Sequence, residues 1–546
     1  MAFSLCFGLV LAAVGALPCA VGHAMSDSRR WFTHNLVLDG DFDFYLSFAR
    51  QAAEGQWLFH NQFTPEPHAN VFFNLEFLLT GKLAAATGLS VDYAYMVVAA
   101  LSTLLYVACL YWLCSHFFQS FVGRVLVVVM ITLGGGFGWL ETFPIPGIDR
   151  LYLADTHYLL HPFFSILLHP HTLLTSGLTL LTLCLFLRAE RTQRLPDYLW
   201  TGLACTTVGC VRPYDMLYLW CIVCLYTLIL SLCRRAGGGR LAAYRASIVA
   251  VGLPLMLYYV WLFKMHPVFR WWGNQGVLQP TPAISLMLSM GFCAAFMAGN
   301  LHRLGNFRDK SEGEITLACA VACGFALFYS YPLFLFSGQF ISELVVPAAI
   351  LGTFGWERPI VAAMSRSAWA VCGVGLFLLL NSLTSAALLT HTMIELKKGV
   401  PFIARGSHDA YEWLGQHSQP REIVMASYSH DMRLPHYAHN CCVTGYKYVT
   451  VDHPAKNKIV REFFQGGTSD DRRRQVVERL GVRYVLWGKE DRGQGGFDPS
   501  DRRWLGKVYS NEDITIFKVD LPQLAKQDQR SKASPTTVGA TASATD

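Results

Sequence analysis

The chain has 546 residues, of which 53% are hydrophobic and 15% charged, with a formal net charge of +6. Soluble domains carry about 25% charged residues, so a water-soluble protein is excluded as a description of the whole chain. No basic patch interleaves with aromatics, which argues against nucleic acid as a partner. There are 16 cysteines, and fourteen of them lie in the first 372 residues, mostly within apolar segments. There cysteine acts as a small hydrophobe. Cys441 and Cys442 are adjacent, and read either as two buried thiols or as a strained vicinal disulfide.

The apolar residues gather into stretches near the length that crosses about 30 Å of hydrocarbon as a helix. In chain order these are 3–21, 93–114, 124–140, 171–187, 198–211, 215–232, 246–264, 283–300, 315–336, 339–355 and 367–389. They predict a polytopic α-helical membrane protein of about eleven spans. Residues 1–21 lack the basic start of a signal peptide, which favours a retained first span. With the N-terminus inside, the even-numbered gaps hold the Lys/Arg excess of cytoplasmic loops. They contain Arg124; Arg188, Arg191 and Arg194; Arg234, Arg235, Arg240 and Arg245; Arg303, Arg308 and Lys310; and Arg358 and Arg366. That parity puts loops 22–92 and 141–170, and everything after about residue 390, outside the cytoplasm. Within the long outer loop 22–92, Val71–Gly88 reads as an amphipathic helix lying in the interface.

Composition shifts after Thr390. The expected division is a transmembrane domain over 1–395, an extracytoplasmic α/β domain over 396–520, and a disordered polar tail over 521–546. In the second domain helices are expected at 407–416, 454–465 and 469–480. Strands are expected at 421–428 and 482–487, with a hairpin over 504–519 turning at Asn511-Glu512.

Residues with chemical potential concentrate in the outer loops. The first opens with Asp39, Asp41 and Asp43, three carboxylates in five residues. A carboxylate beside like charges can serve as a base. An extended backbone would bring Asp41 and Asp43 to one side, as a divalent cation requires. A solvated acidic loop is the plain alternative. The second outer loop supplies Asp155 and His157, then His161, His169 and His171. The two histidines flanking Pro170 fit contact with phosphate or hydroxyl groups, or simple interfacial placement, better than a metal site. Arg212 and Asp215 sit in a tight turn, as a mutual ion pair or as a contact to a lipid phosphate. Lys264, His266 and Arg270 could bind phosphate, with Trp271 and Trp272 as interfacial anchors. Glu343 has no evident partner.

The first outer loop continues through Tyr45, a helix ending at Glu54-Gly55, and a turn Thr64-Pro65-Glu66-Pro67-His68. This pattern resembles the first outer loop of GT-C membrane glycosyltransferases, such as protein O-mannosyltransferases, the lipid A aminoarabinose transferase and oligosaccharyltransferases. It is more similar to a group of prokaryotic GT-C-like proteins with a C-terminal α/β domain. Gly135-Gly136-Phe137-Gly138-Trp139 and Arg212-Pro213-Tyr214-Asp215 match further motifs of that group. Arg212 departs from it, standing where histidine is usual. So does Gly40-Asp41, standing where an acidic pair is usual.

The resemblance implies an inverting transfer of a sugar from a polyprenyl-phosphate-linked donor at the outer face of the plasma (inner) membrane. The acceptor would be a glycan, lipid or protein. Asp41 would be the general base, Asp43 its deputy or a ligand of a divalent cation, and Asp155 the second carboxylate. Tyr45, His68, His169, His171, Arg212, Tyr214 and Arg270 are the candidate substrate contacts. Two alternatives remain. A transporter or flippase of lipid-linked glycans would need charges along a path through the bundle. A non-catalytic membrane anchor would leave Asp41 solvated.

Overall fold

The computed structural model describes residues 2–36, 40–142, 160–233, 238–275, 279–300 and 307–520. Asp39, Asp155, His157 and the tail 521–546 lie outside the described residues. Contacts divide the chain into two units. One comprises Met1–Ser26, Phe32–His60 and Asn70–Phe402; the other comprises Asp27–Trp31, Asn61–Ala69 and the chain from Ile403.

The first unit is helical. Its first ten described α-helices are α1 (Ala2–Ala24), α2 (Gly40–Ala53), α3 (Leu75–Thr87), α4 (Val91–Ser115), α5 (Phe121–Thr132), α6 (Pro162–Leu168), α7 (Pro170–Thr192), α8 (Leu195–Val211), α9 (Pro213–Cys233) and α10 (Gly238–Met265). Five of these, α1, α4, α7, α9 and α10, are long and apolar enough to cross a membrane. Two bent pairs bring the number to seven: Ser337–Thr353 with Glu357–Arg366 at 64°, and Ala368–Asn381 with Leu383–Lys398 at 44°. The other expected spans contain shorter or interrupted helices. α5 stops before a run of three glycines, and 283–300 breaks at Gly291, whose φ of 56° suits a residue without Cβ. The chain is thus a polytopic helical membrane protein followed by a sheet domain.

Two local devices shape the segment after the first span. α3 is capped by Asn74, whose side chain accepts from the Glu76 and Phe77 amides, and it ends at Gly88 with φ 73°. α2 and α3 approach so closely that a Cβ on Gly81 would lie 2.1 Å from the Ala49 carbonyl oxygen. Glu76 on α3 is wholly buried. α3 packs its Glu76 face on protein, where Gly81 lets α2 in, while Leu79 on the other side stays exposed.

One buried ion pair ties four helices together. Arg245 on α10 donates to both oxygens of Glu190 on α7, at 2.9 and 2.7 Å. Tyr198 on α8 and Tyr226 on α9 donate to the same carboxylate at 2.9 and 3.1 Å. Every lone pair that faces protein is used, which is what makes a charge tolerable in an apolar bundle.

The second unit holds a five-stranded sheet. Its strands are β1 (Ile423–Met425), β2 (Cys441–Cys442), β3 (Val482–Trp487), β4 (Leu505–Ser510) and β5 (Thr515–Val519), in the spatial order β2-β1-β3-β5-β4. β1 pairs parallel with β2 and β3, while β5 pairs antiparallel with β3 and β4. The hairpin turns at Asn511, whose side chain accepts from the Asp513 and Ile514 amides. Helices Arg405–His417, His453–Phe464 and Asp470–Leu480 flank it as expected. Cys441 and Cys442 are free buried thiols.

The segment Asn61–Ala69 is part of this unit although it lies far from it in sequence, within loop 22–92. Asn61 and Gln62 side chains donate to the carbonyls of Val449 and His439 at 2.8 and 2.7 Å. The buried Lys456 ammonium donates to both Glu66 oxygens at 2.5 and 2.6 Å and to Thr64 Oγ1 at 3.1 Å.

Two predictions follow from this packing. Arg245→Ala strands the Glu190 charge and lowers stability by about 3–5 kcal/mol, seen as a lower melting temperature in detergent. In the second unit, burial and the neighbouring Asp491 charge push the Asp431 carboxyl well above the usual range, against one hydrogen bond from the Thr444 amide. The folded state then holds that proton more tightly than the unfolded one. Stability is full below about pH 4, the unfolded value, and declines as pH rises above it. Hydrogen-exchange protection of β1 and β3 should fall across that range, and Asp431→Asn should flatten the dependence.

Candidate functional site

Asp41 lies in the first turn of α2, where the helix dipole favours a negative charge. Its side chain is 32% exposed, and Oδ2 stands 3.9 Å from Nε2 of His169. Asp43 is buried and accepts a 3.4 Å hydrogen bond from the Asn35 amide. The backbone here is helical, not extended. Positions i and i+2 of a helix face different sides, so the expectation that Asp41 and Asp43 share one side for a cation is corrected. The Asp41–Asp43 pair does not fit a shared metal.

The histidines come from the junction of α6 and α7. His171 is buried, and its Nδ1 hydrogen-bonds Glu76 Oε2 on α3. Its ring lies 4.8 Å from that of Tyr45 and 5.6 Å from that of Phe77, and these two stack on each other at 5.0 Å. The His169 ring sits 6.3 Å from Tyr45. His161 is instead structural, with Nε2 2.8 Å from the Ser289 carbonyl.

Arg212 and Asp215 are both buried and form the expected pair, Nη1 to Oδ2, at 3.2 Å. Arg212 Nε also donates to the Tyr214 hydroxyl at 2.7 Å, and Nη2 donates to Gln339 Oε1 at 3.4 Å. Nη1 and both Asp215 oxygens lack an aligned hydrogen bond among the described residues. Glu343, buried nearby, accepts from the Ser342 hydroxyl at 3.4 Å. The Asn74 amide donates to the Val211 carbonyl at 2.9 Å, tying the start of α3 to the turn that carries Arg212.

Two expected contacts, His68 and Arg270, stand apart. His68 belongs to the second unit, where both ring nitrogens are taken within its own turn, by the Asn61 amide at 3.1 Å and the Glu66 carbonyl at 2.8 Å. Arg270 is exposed on helix Phe269–Gln275. Trp272 on that helix packs against Phe44 at 5.1 Å and Phe72 at 5.4 Å.

Sequence reasoning missed Glu76, Asn35 and Gln339. Glu76 carries the loudest signal in retrospect, a lone acid in the apolar run 71–81. Among the described residues the one group of three metal-type side chains is His408, Asp409 and Glu412 in the second unit. Arg405 Nε already stands 3.3 Å from Asp409 Oδ1 there, a competing cation.

The glycine motif has a packing role. A Cβ on Gly134, Gly135 or Gly136 would lie 2.1 Å from the Met130 carbonyl oxygen, 2.5 Å from Thr384 Cβ or 2.0 Å from the Ser289 carbonyl oxygen, respectively. Thr384 Oγ1 donates to the Gly136 carbonyl at 2.9 Å, and Asn381 donates to that of Met130 at 2.9 Å. The run threads between helices too closely spaced for any side chain.

No protein-family model matches the sequence, and no curated protein matches it. Solved structures do. The archaeal oligosaccharyltransferase AglB from Archaeoglobus fulgidus, in complex with an inhibitory peptide and a dolichol-phosphate, aligns over 94% of this chain and 74% of its own. The TM-score is 0.53 at 11% identity. The Archaeoglobus fulgidus enzyme in complex with Zn and sulfate aligns over 94% and 72%, with a TM-score of 0.50 at 14% identity. The chain has the GT-C fold. ArnT from Cupriavidus metallidurans in the apo state aligns over 94% of this chain and 98% of its own, with a TM-score of 0.49 at 12% identity. Within this fold the cluster around Asp41, His169, His171 and Arg212 gathers side chains from segments up to about 170 residues apart in sequence.

Gly136→Ala should cost about 3 kcal/mol or more, the top of the range for overpacking, because backbone must move. Size-exclusion profiles in detergent should show loss of folded protein. Gly239→Ala, where the added Cβ meets open space, should behave as wild type.

Proposed function

We propose that the protein is a membrane glycosyltransferase. It moves a sugar from a polyprenyl-phosphate-linked donor to an acceptor hydroxyl at the extracytoplasmic face. The observation that carries this reading is the convergence, within a GT-C fold, of a part-exposed carboxylate with a paired, buried guanidinium and two histidines. The Lys/Arg distribution supports an outer location for the loop that carries Asp41 and for the second unit. The dolichol-phosphate bound by the archaeal oligosaccharyltransferase supports a lipid phosphate as the leaving group.

Asp41 acts as general base. Its exposure lets an acceptor hydroxyl reach it, and its place in the first turn of α2 suits a negative charge. As the hydroxyl oxygen attacks the anomeric carbon, its proton passes to Asp41. The bond from that carbon to the phosphate oxygen breaks, and the configuration inverts. Arg212 holds the departing phosphate, with Asp215, Tyr214 and Gln339 fixing the guanidinium. A guanidinium with a donor not yet aligned to any acceptor is suited to an arriving anion. Tyr45 forms the aromatic wall beside the histidines. Asp155 is the proposed second carboxylate, on sequence grounds. No step runs through a metal. The second unit, with Asn61–Ala69 built into it, serves acceptor binding.

Asp41→Asn should lower transfer from a polyprenyl-phosphate sugar by about 10²–10⁴-fold, with unchanged membrane insertion and melting temperature. Radiolabelled sugar incorporation in membranes measures it. Wild-type transfer by that variant would remove Asp41 from the mechanism.

A further inference from the structure

Glu76 is a carboxylate of this cluster that the glycosyl-transfer mechanism leaves without a task. It is wholly buried, on a helix whose start is pinned by Asn74 to the Val211 carbonyl. A charge is not carried into an apolar bundle without a partner. Its partner is His171, through Nδ1. The imidazole is clamped further by the Tyr45 and Phe77 rings. Ring contacts on one side and a hydrogen bond at one nitrogen thus restrict its rotamers.

An ionised carboxylate only accepts hydrogen bonds, so Nδ1 carries the proton. In the neutral ring Nε2 is then a lone pair, and it makes no hydrogen bond to the described residues. A lone pair suits a hydroxyl donor. It does not suit a phosphate oxygen, which is itself an acceptor. Arg212, with donors only, has the opposite preference.

We propose that Glu76 is a positioning residue that fixes His171 as the hydrogen-bond acceptor for a hydroxyl of the donor sugar, while Arg212 takes the phosphate. This rests on the glycosyl-transfer reading and divides the donor between two sets of residues. His171 reads the sugar, so it contributes to sugar selectivity and not to lipid-phosphate affinity.

The test is a comparison of affinities on full-length protein in nanodiscs. The probes are undecaprenyl phosphate and its glucosyl, mannosyl and galactosyl esters. Wild type should bind at least one ester about tenfold more tightly than the bare lipid phosphate, the scale of one buried hydrogen bond. Glu76→Leu should erase that preference and leave bare-lipid affinity unchanged. Glu76→Gln keeps an oxygen to accept from Nδ1 and should restore the preference, which a loss of packing alone would not do. If Glu76→Leu fails to fold, His171→Gln should erase the preference instead. Persistence of the preference in Glu76→Leu and His171→Gln, equal loss for bare and glycosylated lipid, or no preference in wild type would each overturn the proposal. Failure of wild type to bind any of the four lipids would instead overturn the glycosyl-transfer reading itself.

Discussion

Charge inside an apolar bundle must be matched at hydrogen-bonding distance, and this constraint organises the membrane unit. Removing a carboxylate or guanidinium from water costs several kcal/mol, and only well-placed partners offset it. Two clusters meet the demand differently. Glu190 is saturated by Arg245, Tyr198 and Tyr226, so nothing is left over for a ligand. Around Arg212 and Asp215 the charges are opposed but the hydrogen bonds are incomplete. The first pattern holds helices together; the second leaves donors and acceptors available. That contrast is the reason the proposed site is placed at Arg212 and not at Glu190.

The close helix approaches serve the same end. Gly81 lets α3 lie against α2, which carries Glu76 to within reach of His171. The Gly134–Gly136 run and Gly291 meet so closely that a Cβ added to Gly291 would lie 2.8 Å from Gly136 Cα, interrupting helices where the backbones cross. Continuous spans would have been simpler for the bilayer. The interruptions are what a fold tolerates when irregular backbone is buried against protein.

Much of the architecture was legible because periodicity and apolar length are local properties. β3 matches the expected 482–487 run to the residue, and the hairpin turns at the expected Asn511. The Arg212–Asp215 pair was legible for the same reason, being three residues apart. What stayed hidden depends on distant partners or on competing local preferences. Glu76 meets a histidine 95 positions away, and Asn61–Ala69 meets strands and loops nearly 400 positions away. Asp41-Phe42-Asp43 looked like an alternating strand, yet the acids favour a helix N-terminus, and that preference won.

The central claim is that a lipid phosphate lodges at Arg212 with its sugar carbon facing Asp41 on the extracytoplasmic side. A cryo-EM map of the full chain in nanodiscs loaded with an undecaprenyl-phosphate sugar tests it directly. Phosphate density within hydrogen-bonding distance of Arg212, with the sugar between Asp41 and His171, is the expected result. Headgroup density on the Glu190 side of the bundle, or none near Arg212 in a lipid-loaded protein, would contradict it.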